Sequence, residues 1–472
     1  MQVLSGKKTQ GKKTAGKRIE RKRIGAAAFG AAAFGRLLAL GAALALAVTA
    51  GNLIAEDDSP PKPATTGTVP NPAPARLASG DLDRGVKELQ RHLEARPKDY
   101  ASWASLGTAY VEQARVNADP SRYPQAERAL TRSLELRPAN DPALAGRAAL
   151  ASARHDFHGA LRLTREALAV NPYSEAALAL RVDALVELGH YKSALKAAET
   201  ADSRRPGIPA FTRFSYVHEL RGDATTARKV LTRALTSATA PGDVSYVATA
   251  LGQLAWRQGA YKTSLRHYAT ALRADPNAVA ALEGRGRARA ASGDTAGAIR
   301  DLKTVVERAP LPTALVELGE LYEARGDTRA AKRQYALVGT WLRLTRAGGV
   351  DVDLDTALAS AEHGDRAAGL KAARAEWRRR HTVHTADALA WALHANGRDK
   401  EALPYARRAT ATGFGEASFL YHRGVLELSV GDRSEGRALL REALDRNPGF
   451  SPLGAKAARA ALAKPTGEGA SR

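Results

Sequence analysis

The chain has 472 residues, a net charge of +22, no cysteine and a single methionine at its first position. The absence of cysteine excludes disulfide-stabilised scaffolds, cysteine-ligated metal sites and thiol catalysis. Hydrophobic residues make up 44% of the chain and charged residues 25%, which excludes disorder over the whole length. The positive charge indicates nucleic-acid binding only if it is concentrated on one surface.

Residues 1–36 form a basic, low-complexity N-terminal tail. They contain ten Lys or Arg residues and one acidic residue, Glu20, so this segment carries +9 and the rest of the chain carries +13. Short duplications such as AAAFG mark the segment as compositionally biased, and we predict no fold for it.

An uncharged stretch at residues 37–55 follows, with three acidic residues directly after it. As a helix it would span about 28 Å, close to the hydrocarbon thickness of a bilayer. Because basic residues precede it and acidic residues follow, the N-terminus is predicted to be cytoplasmic and the remainder extracytoplasmic. Two forms fit, a retained transmembrane signal-anchor or a signal peptide cleaved near Ala50, which would release a secreted protein. A buried helix of a cytosolic protein is the third alternative.

Residues 56–76 are rich in proline, with six prolines in the segment. Proline fixes its backbone φ angle and lacks an N–H group, so the segment cannot continue a helix or join a sheet. We predict an extended linker with a reach of about 60 Å.

From residue 77 onward, apolar residues recur every three to four positions and are interrupted by Gly-Asp and Asn-Pro breaks. Pro138, Pro172 and Pro206 are 34 positions apart, and so are Pro276 and Pro310. A period of 34 residues predicts stacked helical hairpins. Each hairpin is then expected to pack only on its neighbours, so that stability is a sum of nearest-neighbour interfaces.

The residue types within each period identify the repeat. The first clear unit contains Trp103, Leu106, Gly107 and Tyr110, followed by Ala126, Leu130 and Pro138. This pattern resembles the tetratricopeptide repeat, whose first helix carries Trp, Leu-Gly and Tyr and whose second carries Ala and a closing Pro. The resemblance implies an all-α fold, a right-handed α-solenoid of stacked helical hairpins behind one N-terminal transmembrane or signal helix.

The resemblance also sets the domain boundaries. We predict about ten units over residues 77–450, with a degenerate stretch at 340–382. A C-terminal capping helix at 451–462 and a disordered tail at 463–472 follow.

No P-loop, dinucleotide-binding, nucleophile-elbow or zinc-protease motif occurs in the sequence. We therefore predict no enzymatic activity, no cofactor and no metal. Three pairs of titratable residues are expected to be solvated rather than functional: His155 with His158, His381 with His384, and Glu320 with Glu323. The basic residues beyond the tail are interleaved with acids, and only 6% of the chain is aromatic, so nucleic-acid binding is not favoured.

The resemblance further implies where a partner binds. In this family the first helices line a concave groove, with the second, fifth, ninth, twelfth and thirteenth positions of each unit facing it. On this sequence the partner-binding groove is Tyr216, Glu219, Tyr246, Gln253, Trp256, Arg257, Glu283, Arg287, Glu320, Glu323, Asp387, Trp391, His394 and Tyr421. Trp256 and Trp391 are the expected anchors, since large aromatic side chains dominate interface energetics. The alternative is that each packs on a neighbouring hairpin.

These observations predict a non-enzymatic scaffold or adaptor that binds a protein or peptide partner and is held outside a bacterial cell membrane. The Ala-, Arg- and Gly-rich composition resembles that of actinobacterial proteins. One alternative is an intracellular regulatory or nucleic-acid-associated protein that uses its basic tail. Another is the recruitment subunit of an enzyme complex.

Overall fold

The computed structural model describes residues 79–117, 120–347 and 350–464. These ranges contain twenty-two α-helices and one 3-10 turn at Pro120–Arg122, with no β-strand among them. The all-α prediction is therefore confirmed for the described ranges.

Several predicted segments lie outside the described residues. They are the basic tail at 1–36, the transmembrane or signal helix at 37–55, the Pro-rich linker at 56–76 and nearly all of the tail at 463–472. Within the described part of the chain, no helix combines the length and apolarity needed to cross a membrane.

The helices are numbered α1 to α22 in chain order. Their bounds are α1 Ser79–Ala95, α2 Tyr100–Asn117, α3 Tyr123–Leu136, α4 Asp141–Ala153, α5 Phe157–Val170, α6 Glu175–Glu187, α7 Tyr191–Arg204, α8 Ile208–Leu220, α9 Ala224–Ser237, α10 Pro241–Arg257, α11 Tyr261–Ala274, α12 Val279–Ala291, α13 Thr295–Arg308, α14 Pro312–Ala324, α15 Thr328–Ala347, α16 Asp353–His363, α17 Arg366–Arg379, α18 Val383–Ala395, α19 Asp399–Thr410, α20 Ala417–Ser429, α21 Arg433–Arg446 and α22 Pro452–Ala463.

Consecutive helices pair into hairpins, from α2 with α3 through α20 with α21, and each hairpin packs on the next. Helix α1 precedes the first hairpin and α22 follows the last. The stretch at 340–382, in which the sequence pattern is degenerate, still forms the hairpin of α16 and α17.

The turn inside most hairpins is made by glycine in the left-handed region, for example Gly189 with a φ of +76° and Gly293 with +90°. This backbone conformation penalises residues with a Cβ, which explains the recurring glycine. An aspartate after the glycine can cap the second helix, as where Asp223 Oδ1 accepts from the N–H of Thr226 at 2.9 Å.

The two helices of a hairpin differ in burial. In α8, eleven of thirteen residues are buried, including the charged Arg213 and Glu219. In α9 only Ala227, Leu231 and Ala234 are buried, and the remaining surface is polar. The first helices form an inner layer in which α8 is covered on almost every side, whereas the second helix of this hairpin faces outward. A solenoid with an open concave groove would leave one side of α8 exposed.

The array closes on itself along its edges, which explains this burial. The turns after α4, α6, α8 and α10 contact the loops before α16, α18, α20 and α22, respectively. We call these four junctions the edge contact. Hydrogen-bonded residues in it are between 186 and 196 positions apart in sequence. The expectation that hairpins contact only their neighbours is thus wrong for this chain.

Hydrogen bonds hold the junctions of the edge contact together. At the first, His155 Nδ1 donates to the carbonyl oxygen of Asp351 at 2.7 Å. At the second, the N–H of Val383 donates to the hydroxyl oxygen of Tyr191 at 2.9 Å.

The third and fourth junctions bring backbone against backbone. A Cβ on Gly222 would lie 3.1 Å from the carbonyl oxygen of Gly413. At the last junction, the Tyr261 hydroxyl donates to Asn447 Oδ1 at 2.6 Å and accepts from the N–H of Gly449 at 2.8 Å. Glycine at these positions lets two parts of the chain approach closely.

A buried ion-pair network reinforces the edge contact. The side chain of Arg380 is 2% exposed and donates to the carboxylates of Glu187 on α6 and Glu376 on α17. Its guanidinium carbon lies 4.9 Å from the ring centroid of Phe157. Arg380 therefore joins α17 to α6 and to the start of α5, which are far from it in sequence.

Candidate binding cavity

Closure leaves a cavity of about 280 Å³ inside the array. It is bounded by the first helices α10, α12, α14, α16, α18 and α20 and by the loop before α22. We call it the central cavity. Its size suits a side chain or a few residues of a partner rather than a long segment.

The structure brings most of the predicted groove residues to this cavity. The cavity-lining members are Gln253, Trp256, Arg257, Arg287, Glu320, Asp387, Trp391 and Tyr421. The other six, Tyr216, Glu219, Tyr246, Glu283, Glu323 and His394, do not line it. Sequence position within the repeat therefore identified the inner layer, but not which part of that layer stays open.

Several charged groove positions are occupied by ion pairs between successive first helices. Arg257 Nε donates to Glu219 Oε1 at 2.6 Å, and Arg213 on α8 pairs with Asp183 on α6 at 2.9 Å. Both pairs are almost fully buried. Removing one partner of such a pair would leave an uncompensated charge, so these residues hold neighbouring hairpins in register.

The two tryptophans sit differently in the cavity wall. Trp256 is 6% exposed, its Nε1 has no hydrogen-bond partner, and the guanidinium of Arg287 lies 5.4 Å from its ring centroid. Trp391 Nε1 donates to Glu362 Oε1 at 2.8 Å, and its ring stacks on His422 with the centroids 4.0 Å apart. Both the anchor and the packing interpretations thus apply, because each indole packs on neighbours and also faces the cavity.

Part of the cavity wall was not predicted. The additional lining residues include Glu317, Glu362, His384, Phe414, Phe419 and Phe450. Glu362 lies in the degenerate stretch, and Phe414 and Phe450 lie in loops before a first helix, so counting helix positions could not find them. The sequence did contain one signal for these wall residues, an aromatic residue in each of the two loops close to a predicted helix start.

Most carboxylates of the cavity are desolvated, whereas Glu362 is exposed. Burial raises the pKa of Glu317 to about 8, and it also raises the pKa values of Glu320 and Glu416. The expectation that Glu320 and Glu323 form a solvated pair is wrong for Glu320, which is 8% exposed, although Glu323 is exposed as predicted. Closure of the array, rather than any local pattern, buries Glu320.

Closure also leaves one histidine of each pair exposed and places the other against a distant part of the chain. His158 and His381 are exposed, as predicted, but His155 lies in the edge contact and His384 faces the central cavity. Burial, with Arg380 nearby, lowers the pKa of His155 to about 4 and that of His384 to about 3. Both imidazoles are therefore neutral in the folded protein at ordinary pH.

Replacing His384 by phenylalanine is expected to make the fold more tolerant of acid. His384 lies 5.5 and 5.6 Å from the ring centroids of Phe414 and Phe419, so an apolar ring fits there. Its folded pKa lies below the unfolded value of about 6.5, so the unfolded chain takes up a proton first and this residue costs stability as the pH falls below that value. From pH 7.5 to 4.5, the stability difference should shift by about 2–3 kcal/mol in favour of H384F.

The measurement is urea denaturation of both proteins across this pH range. Taking the difference between them removes the opposing effect of buried carboxylates such as Glu187 and Asp355, whose pKa values burial raises to about 7. The exposed His158 provides the control, since H158A should leave the pH profile unchanged. A constant difference between H384F and the parent would contradict the prediction.

Two groups of side chains in the described ranges are spaced to hold a cation, with ligand atoms within 4.8 Å of one another: Glu320, Glu362 and His363, and separately Asp351, Asp353 and Glu376. In the second group Arg379 contacts all three carboxylates, so a guanidinium already lies there. In the first group Glu320 and Glu362 both line the central cavity.

Solved structures of three proteins are similar to parts of this chain. A thermophilic tetratricopeptide repeat protein of Thermus thermophilus is 23% identical, covers 36% of this chain and 91% of its own, and has a TM-score of 0.33. PilF of Pseudomonas aeruginosa is 18% identical, with 45% and 93% covered and a TM-score of 0.35. Human IFIT1, solved as a dimer with PPP-AAAA, is 16% identical, with 70% and 78% covered and a TM-score of 0.43.

Sequence comparisons match a smaller part of the chain than the solved structures do. No curated protein sequence matches the chain. A model of the tetratricopeptide repeat family matches residues 249–311 and, overlapping them, 284–338. These residues span most of α10 through most of α15 and supply part of the cavity wall. Residues 249–338 are therefore similar to tetratricopeptide repeats.

Proposed function

We propose that this protein is a non-enzymatic scaffold that captures a short segment of a protein or peptide partner in the central cavity. Tetratricopeptide repeat proteins are generally scaffolds of this kind. The observation that carries the proposal is the cavity itself, because closure covers most of the inner layer yet leaves a space lined by Trp256, Trp391 and other aromatic residues. Aromatic side chains in a concave, largely desolvated site are typical of binding hot spots.

The test is partner capture by variants of the full chain in its native host. Cross-linking identifies the captured protein, and W256A and W391A should each reduce its yield by at least tenfold. W103A is the matched control, because Trp103 lies on α2, away from the cavity, and its Nε1 donates to the carbonyl oxygen of Pro97 at 3.0 Å. Circular dichroism confirms folding of each variant. Equal capture by all three variants would refute the cavity as the binding site.

We also propose that the array lies outside a bacterial cell membrane, tethered by residues 37–55 or secreted after cleavage near Ala50. The support is the order of basic tail, uncharged stretch and acidic residues in the sequence. A reporter that is active only after export, fused after residue 76, should be active, and the mass of the mature protein distinguishes tether from cleavage. An inactive reporter would instead favour the intracellular alternative, in which the basic tail binds nucleic acid.

A further inference from the structure

The charges on the wall of the central cavity are unbalanced. Five carboxylates but only two guanidiniums line it. Both guanidiniums already lie beside carboxylates: Arg257 pairs with Glu219 at 2.6 Å, and Arg287 Nε lies 3.1 Å from Glu317. The wall therefore has a surplus of carboxyl groups over cationic partners.

The surplus is concentrated at one end of the cavity. Asp387 is paired with His422 at 2.9 Å, and contact with Asp387 raises the pKa of His422 despite the opposing effect of burial. Glu320 and Glu362 have no Arg or Lys partner among the described residues and share only His363, at 3.8 and 3.6 Å. We call Glu320, Glu362 and His363 the acidic end.

Neighbouring side chains fix the acidic end in place. Ser451 Oγ donates to Glu320 Oε2 at 3.0 Å, and Trp391 Nε1 donates to Glu362 Oε1 at 2.8 Å. The His363 ring stacks on Tyr335 with the centroids 3.9 Å apart. The carboxylates are therefore held near each other before any ligand arrives, which lowers the entropy lost on binding.

The wall on α10 is closely packed. Gln253, Trp256 and Arg257 are 4%, 6% and 3% exposed, and all three line the cavity. Gln253 Nε2, Trp256 Nε1 and one terminal guanidinium nitrogen of Arg257 have no hydrogen-bond partner. All of these atoms are donors, but each has almost no accessible surface, so an occupant of the cavity does not contact them. The wall on α10 therefore offers packing surface rather than hydrogen bonds.

We propose that the central cavity binds a basic peptide segment, with a Lys or Arg side chain at the acidic end. The cation of such a side chain pairs with Glu320 and Glu362, and its apolar stem packs on the aromatic lining. The aromatic rings also attract the cation. This inference rests on the proposed function and specifies the chemistry of the captured segment.

The test is calorimetric titration of the full-length protein with capped tripeptides of sequence Gly-Xaa-Gly, where Xaa is lysine, arginine, norleucine or glutamate. Lysine and arginine peptides should bind at least tenfold more tightly than the other two, and added salt should weaken only the basic peptides. E362Q should weaken lysine-peptide binding at least tenfold. E199Q, which removes an exposed acid on α7, should leave it unchanged.

Further arms separate this inference from its competitors. Equal affinity for lysine and norleucine peptides, or no binding of any tripeptide, would overturn it while leaving partner capture through Trp391 intact. Binding of free lysine without binding of the capped peptide would assign the cavity to an amino acid instead. Tight binding of Zn²⁺ that E362Q abolishes, with no response to peptides, would make the acidic end a metal site. If E362Q does not fold, the salt dependence of peptide binding by the unmodified protein is the test. Lysine-peptide binding that added salt does not weaken would overturn the proposal.

Discussion

Replacing Arg380 by methionine is expected to lower the free energy of unfolding by about 3–5 kcal/mol. The substitution keeps much of the side-chain volume but leaves the buried Glu187 without a guanidinium partner and Glu376 with Arg379 alone. Burial already raises the pKa of Glu187 to about 7, which shows how far its charge depends on Arg380. The measurement is urea denaturation at pH 7.5, followed by circular dichroism.

Arg378, in the last turn of α17 and two positions before Arg380, provides a matched control. Its side chain is exposed, so R378M should change stability by no more than about 0.5 kcal/mol. If R380M were as stable as R378M, the network around Arg380 would not hold the edge contact together in solution. The triple variant R380M, E187Q, E376Q should recover part of the loss, because it also removes the carboxylate charges that Arg380 neutralises.

The second large effect is expected at Gly189. A substitution there tests the edge contact separately from the strain of the turn itself. G189A is expected to destabilise the fold by about 1–3 kcal/mol more than G293A, because overpacking adds this amount to the left-handed penalty that both variants share. Both glycines have positive φ, +76° and +90°, so both variants incur the left-handed penalty. Only at Gly189 would the new Cβ lie 2.4 Å from another part of the chain, the carbonyl oxygen of His381, whereas nothing lies within 4 Å at Gly293.

Small-angle scattering provides an independent measurement of the same pair. G189A should increase the radius of gyration as the edges separate, while G293A should not. Equal destabilisation of the two variants with unchanged dimensions would mean that the edge contact adds nothing beyond hairpin stacking.

Local features of the fold follow from the sequence because their causes are local. The period of 34 residues, Gly293 at a turn and Pro138 at the end of a second helix each reflect backbone preferences within one hairpin. These features were sufficient to predict an all-α array. They also place Trp256 and Trp391 on first helices, where both are found.

Closure could not be predicted in the same way. It depends on the small rotation between successive hairpins, summed over several of them, and no single residue encodes that sum. The burial of Glu320, His155 and His384 follows from closure, so the expectations for these residues were wrong for one shared reason. The sequence does not distinguish Glu320 from the exposed Glu323, because both lie on α14. They differ only in that a distant part of the chain covers Glu320.

The register of the edge contact restricts how this array can gain or lose units during evolution. An open solenoid tolerates insertion or duplication of a repeat anywhere, since each unit contacts only its neighbours. Here the turn at Gly189 must meet the loop at His381, so deleting the hairpin at 279–311 would align every turn with the wrong loop. Units can be added before α2 without altering that alignment, whereas the number of hairpins between the paired edges is fixed.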